Sequence, residues 1–166
     1  MPVNAKICGL STPDTLDAAI GHGASHVGFV FFPPSPRDVV FEQAAGLAAR
    51  VPEEVRRVGV FVDPEDALVA EAVRVARLDA IQLHRTAPAR VAALPGGMGL
   101  RFDWALLDGF AHPLPWALSG GLDAGNVREA IRRTGATLVD VSSGVERAPG
   151  VKDVDKIAAF LQAALA

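Results

Sequence analysis

The sequence predicts an α/β fold, a parallel sheet whose strands are joined by crossover helices. Short β-branched or aromatic runs alternate with longer stretches rich in Ala, Leu, Glu and Arg, the rhythm of successive βα units. The short runs are apolar almost throughout, as expected of strands covered on both faces. Polar residues and glycines collect where those runs end. Periodicity alone leaves an open doubly wound sheet and a closed barrel both standing.

The first strand falls at Val3–Cys8, and its helix opens at Ser11-Thr12-Pro13-Asp14, a hydroxyl cap with proline in the first turn. That helix closes at Gly21-His22-Gly23. The second strand is His26–Phe32, followed by a helix over Phe41–Arg50; the third is Arg57–Val62. Asp63-Pro64-Glu65-Asp66 starts a helix whose apolar face holds Leu68, Val69, Ala72, Val73 and Ala76. The fourth strand is Asp79–His84. Between His84 and Pro115 no strand is found: Arg85–Leu94 and Asp103–Phe110 read as helices, with Asp103 as an N-cap, and Pro95–Gly99 as a glycine loop. The last two strands are Pro115–Ser119 and Thr137–Ser142, each followed by a helix, Ala124–Arg133 and Val154–Ala164.

Composition narrows the function. The chain has 166 residues, half of them apolar, enough for one core and too little for two, so residues 1–166 read as a single domain. A net charge of −3 with acids and bases interspersed argues against a nucleic-acid partner. No apolar run reaches the roughly 20 residues of a membrane span, and no export signal precedes the first strand. A cytoplasmic protein is expected. A single cysteine, Cys8, excludes an internal disulfide and a cysteine-rich zinc site.

The strand ends carry Lys6, Cys8 and Gly9; Ser35-Pro36-Arg37; Asp63; Gln82 and His84; Ser119-Gly120-Gly121; and Asp140 with Ser142-Ser143-Gly144. Two glycine turns follow the last two strands, each read as leading into a helix start. Backbone amides of such turns can hold a phosphate, and a helix dipole favours one there. A strand cysteine is by itself most simply an inert small apolar group. A loop arginine is usually solvated, and His84 reads as a lining or hydrogen-bonded core residue rather than a proton carrier. Asp140, costly to bury without a partner, suits a structural role and an active-site role equally.

Lys6-Ile7-Cys8-Gly9-Leu10, Gly28-Phe29-Val30-Phe31 with Ser35-Pro36-Arg37, Val58-Gly59-Val60-Phe61-Val62 and Gln82-Leu83-His84 form one ordered set of motifs. Phe102-Asp103-Trp104, Ser119-Gly120-Gly121-Leu122 with Asn126-Val127, and Val139 to Glu146 with Pro149 to Asp153 complete it. In order, and over nearly the whole chain, these resemble the phosphoribosylanthranilate isomerases, phosphosugar isomerases of tryptophan biosynthesis. The resemblance implies a TIM-type (βα) barrel, in which strand ends carry the chemistry. The last two strands then take barrel places seven and eight, and strand five, its helix and strand six are missing, leaving about six βα units of the usual eight. The order expected is one-two-three-four-seven-eight.

The resemblance further implies an Amadori rearrangement of N-(5-phosphoribosyl)anthranilate, redox-neutral, without cofactor or metal. Cys8 is then the general base, a thiolate that Lys6 or a helix terminus could help. Arg37 clamps the anthranilate carboxylate, Lys6 and His84 line the substrate site, and Gly120, Gly121, Ser142, Ser143 and Gly144 hold the phosphate. The family's acid, an aspartate on strand six, has no heir; Asp140 is the candidate substitute, the other route being spontaneous ring-opening followed by base catalysis. The alternative is an impaired barrel that only binds phosphorylated ligands. Other departures are Arg85 where the family has Gly, Met98 in the Gly96–Gly99 loop, and Val40 where a hydroxyl cap is usual. Two raw strand edges imply a homodimer through those edges or a weakened fold.

Overall fold

The computed structural model describes residues 3–85 and 116–166. The expected helices Arg85–Leu94 and Asp103–Phe110, the Gly96–Gly99 loop, Asp103 and Met98 therefore lie outside the described residues, Arg85 excepted. In chain order the elements are β1 (Asn4–Cys8), α1 (Pro13–Gly21), β2 (His26–Phe31), α2 (Phe41–Ala48), β3 (Arg56–Val62), α3 (Asp66–Ala76) and β4 (Ala80–His84). Then come β5 (Leu118–Ser119), α4 (Val127–Thr134), β6 (Leu138–Val141), β7 (Glu146–Ala148), β8 (Val151–Lys152) and α5 (Val154–Leu165). A one-turn 3-10 helix, Ser143–Val145, stands before β7.

Six strands form one sheet in the order β4-β3-β2-β1-β6-β5, and every pairing in it is parallel. This is the expected order, with β5 and β6 in barrel places seven and eight. Among the described residues β4 and β5 are its two edges.

Alternation along the strands sorts side chains onto two faces. Ala5, Ile7, Val27, Phe29, Phe31, Phe61, Val139 and Val141 point one way. They join Leu16, Ala19, Leu47, Ala72, Val127, Ile157, Phe160 and Leu161 from the helices in one core. Each large buried side chain there stabilises by roughly 1.5–3 kcal/mol. The opposite parity holds Lys6, Cys8, Gly28, Val30, Val60, Gln82, His84, Ser119 and Asp140, and among the described residues its apolar cluster is Cys8, Val30 and Val60 with Phe32 packed against it.

That second face is concave. In a flat sheet β1 and β4 would stand about 14 Å apart, three strand spacings, with Gln82 displaced along the strands from the position level with Lys6, while the two side chains and a hydrogen bond between them span roughly 13 Å. Lys6 Nζ nevertheless donates to Gln82 Oε1 at 2.8 Å. Only a sheet curled toward closure allows this contact, which makes the inner face the barrel interior.

Several local expectations are corrected. Thr12 sits at the N-cap of α1, but its hydroxyl meets the Thr15 hydroxyl at 2.7 Å instead of capping a backbone N–H. Val73 is 39 % exposed, because it lies at the margin of the stripe that buries Ala72 and Ala76. The fourth strand is not covered on both faces: Ile81, at the sheet edge, is 44 % exposed. Of the strand expected at Pro115–Ser119, Pro115 lies outside the described residues, and among the described ones the strand is Leu118–Ser119, which pairs with β6. The antiparallel β7–β8 hairpin was not anticipated. Val40 does stand at the N-cap of α2 with no side-chain cap.

Candidate active site

The candidate residues converge at the carboxyl ends of the strands. Ser119, Asp140 and Lys6 are register partners in turn across β5, β6 and β1, so their side chains stand in one row on the inner face. Lys6 Nζ donates to both Asp140 oxygens, at 3.1 and 3.2 Å, and to Gln82 Oε1. Ser119 Oγ lies 3.5 Å from Asp140 Oδ2. Gln82 Nε2 and His84 Nε2 are 3.0 Å apart, a hydrogen bond within β4. Lys6 is thus held by protein partners, and a direct substrate contact would have to displace one of them.

Burial decides the state of Cys8. The thiol is buried, and burial pushes its pKa above the ordinary thiol value despite the opposing pull of Lys6; Asp140 adds to the rise. The thiolate expected beside Lys6 is therefore not the resting form. Burial disfavours the Lys6 ammonium, whereas the Cys8 and Asp140 groups beside it favour it, and the balance leaves its pKa raised. Gly28 makes room for this cluster: a Cβ there would stand 3.1 Å from Cys8 Sγ and 3.2 Å from Lys6 Cε.

Beside this row lies a cavity of about 250 Å³ lined by Arg37, Ser119 to Leu122, and Asp140 to Gly144. All five expected phosphate-binding residues line it. Gly120 and Gly121 have φ of 110° and 62°, conformations that glycine adopts without strain. Gly144 is required for space, since a Cβ would meet the Leu122 carbonyl oxygen at 1.9 Å. The helix-start part of the expectation is corrected. α4 begins at Val127, beyond the Asp123 to Asn126 turn, and Ser142–Gly144 leads only into a one-turn 3-10 helix. Backbone amides, not an α-helix dipole, are what these turns offer.

Arg37 reaches the same cavity, but part of its guanidinium is already engaged. Nε and Nη2 donate to Glu146 Oε1 and Oε2 at 2.6 and 2.8 Å. Lys152 Nζ donates to Glu146 Oε1 at 2.7 Å and to the Ser142 carbonyl at 2.9 Å. Burial alone would raise the Glu146 pKa; the hydrogen bonds from Arg37 and Lys152 outweigh it and hold the carboxyl below its usual range. Burial pushes the Lys152 ammonium down more than Glu146 lifts it. Sequence reasoning quoted Gln82, Glu146 and Lys152 without giving them roles. Shared strand parity with Lys6 could have exposed Gln82; nothing in spacing announces the Arg37–Glu146–Lys152 group. No group of three His, Cys, Asp or Glu side chains suited to a metal occurs among the described residues.

The family model for N-(5'-phosphoribosyl)anthranilate (PRA) isomerase matches residues 5–95 and 91–163. The chain belongs to this family. The N-(5'-phosphoribosyl)anthranilate isomerase of Zymomonas mobilis subsp. pomaceae is 48 % identical over 208 residues, covering 98 % of each chain. That of Rhodospirillum centenum is 44 % identical over the full length of both. Since 208 aligned positions exceed 166 residues by 42, the Zymomonas relative carries residues this chain lacks. Among solved structures, the phosphoribosyl anthranilate isomerase of Thermotoga maritima is 32 % identical with a TM-score of 0.84, covering 98 % of each chain. A phosphoribosyl anthranilate isomerase in complex with reduced 1-(o-carboxyphenylamino)-1-deoxyribulose 5-phosphate is 34 % identical, with the same TM-score and coverage. The α/β barrel class is the fold of this family, here as a six-stranded parallel sheet.

Proposed function

We propose that this chain catalyses the isomerisation of N-(5-phosphoribosyl)anthranilate, acting as one domain over residues 1–166 in the cytoplasm. The observation that carries the reading is the meeting of Cys8, Lys6 and Asp140 on the inner face with a glycine-lined cavity that Arg37 also reaches. The substrate phosphate binds the amides of Gly120, Gly121 and Ser142 to Gly144, and Arg37 receives the anthranilate carboxylate. Protonation of the ribose ring oxygen opens the ring to an imine. Cys8 then takes the proton from C2, and the enolamine tautomerises to the ketone. The proton donor is Asp140 as substitute acid, which must first take up a proton, since both its oxygens accept from Lys6 in the structure; Lys6 then stabilises the carboxylate left behind. His84 lines the site. No step calls for a cofactor.

Because Cys8 must lose its proton and the acid must hold one, kcat/KM should trace a bell with pH, its alkaline limb set by the raised Cys8 thiol. Cys8→Ala should abolish turnover and leave ligand affinity near that of the parent. A flat profile, or an active Cys8→Ala, would assign the base elsewhere. Growth of a tryptophan auxotroph lacking this isomerase tests the whole reading. A chain that binds product analogue yet fails to rescue growth is a phosphosugar-binding barrel. The closed Lys6–Asp140 pair and the raised Cys8 pKa favour that second reading. Self-association through the β4 edge, where Ile81 is exposed, should appear in sedimentation as a dimer that Ile81→Lys disperses; a parent that sediments as a monomer at every concentration would remove it.

A further inference from the structure

Arg37 is pinned from two sides. Its stem lies against Gly9, where a Cβ would stand 2.6 Å from Arg37 Cδ, and Gly9 has φ of 77°. Its Nε/Nη2 edge is filled by the Glu146 carboxylate. That fork–fork pairing leaves the outer edge, Nη1 with the remaining N–H of Nη2, for a second carboxylate in the same plane. Glu146 is itself fixed by Lys152 Nζ and by the Gly150 N–H at 3.2 Å. The Glu146 and Lys152 side chains are only 5 % and 1 % exposed. Lys152 also donates to the Ser142 carbonyl and hydroxyl, and the Ser142 hydroxyl donates to the Cys8 carbonyl at 3.3 Å. One buried carboxylate thus ties the arginine to the phosphate turn and to the end of β1.

We propose that Glu146 is a positioning residue for substrate specificity: it holds the Arg37 guanidinium in the plane and at the distance from the phosphate turn that a phosphosugar bearing an aryl carboxylate requires. The inference rests on the isomerase reading for the identity of the ligand. Without Glu146 the guanidinium would be free to rotate about its stem, and the entropy of fixing it would fall on the ligand.

The test compares two ligands by calorimetry: reduced 1-(o-carboxyphenylamino)-1-deoxyribulose 5-phosphate, and ribulose 5-phosphate, which lacks the aryl carboxylate. The preference for the first over the second should drop about ten-fold in Glu146→Gln, while ribulose 5-phosphate affinity changes little. In an Arg37→Met background, Glu146→Gln should cause no further drop. A merely structural Glu146 would weaken both ligands alike and leave the preference intact, which would overturn the proposal; so would an undiminished effect in the Arg37→Met background. If Glu146→Gln does not fold, Glu146→Asp keeps the charge but draws it back by one methylene, and the same preference should fall. Failure of the unaltered chain to bind either ligand would overturn the isomerase reading together with this one. Tight binding of both with unchanged preference in the variants would overturn this one alone.

Discussion

Asp140→Asn probes the buried charge at the centre of the inner face. Asp140 and Lys6 side chains are 10 % and 5 % exposed and face each other across the β6–β1 register, with Nζ 3.1 Å from the nearer oxygen. At that separation and an effective dielectric near 20, the attraction is about 5 kcal/mol. Breaking a buried pair from one side typically costs about 3–5 kcal/mol, because the surviving charge is left uncompensated. An asparagine can still accept one hydrogen bond, and Gln82 Oε1 remains at 2.8 Å, so the loss should fall near 3 kcal/mol. Replacing both partners, Lys6→Met with Asp140→Leu, removes the desolvation cost as well and should restore stability to within about 1 kcal/mol of the parent. Urea unfolding at neutral pH reads this as a lowered midpoint at unchanged slope. The Lys6 pKa lies above its ordinary 10.5 in the fold. The stability it contributes is therefore complete at neutral pH and lost only as pH rises through that elevated value. An Asp140→Asn loss under about 1 kcal/mol, or a double variant as weak as the single, would refute the argument.

Arg85 occupies a left-handed conformation, φ 56°, at a position where the family motif calls for glycine. Relief of about 1–2 kcal/mol of strain, less about 0.5–1 for the freer unfolded glycine, should make Arg85→Gly modestly more stable; a melting temperature that does not rise would show that no strain is held there. Gly144→Ala drives a methyl into the Leu122 carbonyl and should weaken ribulose 5-phosphate binding at least about ten-fold. Gly46→Ala, in α2 with open space around it, is the control and should gain up to about 1 kcal/mol. Equal affinity in parent and Gly144→Ala would move the phosphate away from this turn.

The order of strands and helices was legible because each element writes its own local pattern: apolar runs for β1 to β3, Pro13 opening α1, Asp153 capping α5 through the N–H groups of Asp155 and Lys156. The Lys6, Cys8 and glycine-turn motifs marked the candidate site residues, since parallel strands in register bring their carboxyl ends together whatever lies between. Where the local pattern was short or shared, it misled. Trp116 reads as strand but stands before β5 (Leu118–Ser119), and the Ser142–Gly144 turn gives way to a 3-10 turn and a hairpin rather than directly to a helix. Three matters belonged to the tertiary structure alone. The curvature that lets Lys6 touch Gln82 is a property of the whole sheet, so no window of sequence contains it. The pKa of Cys8 is set by burial against the charges of Lys6 and Asp140, and Asp140 lies on a strand 132 residues away in the chain. The fork of Arg37 is filled by Glu146 from the far end of the chain, because loops distant in sequence become neighbours once the strands are parallel. Sequence determined which residues stand at the strand ends; only the closed-in sheet decided which of them share a charge and which edge of each side chain is left for a ligand.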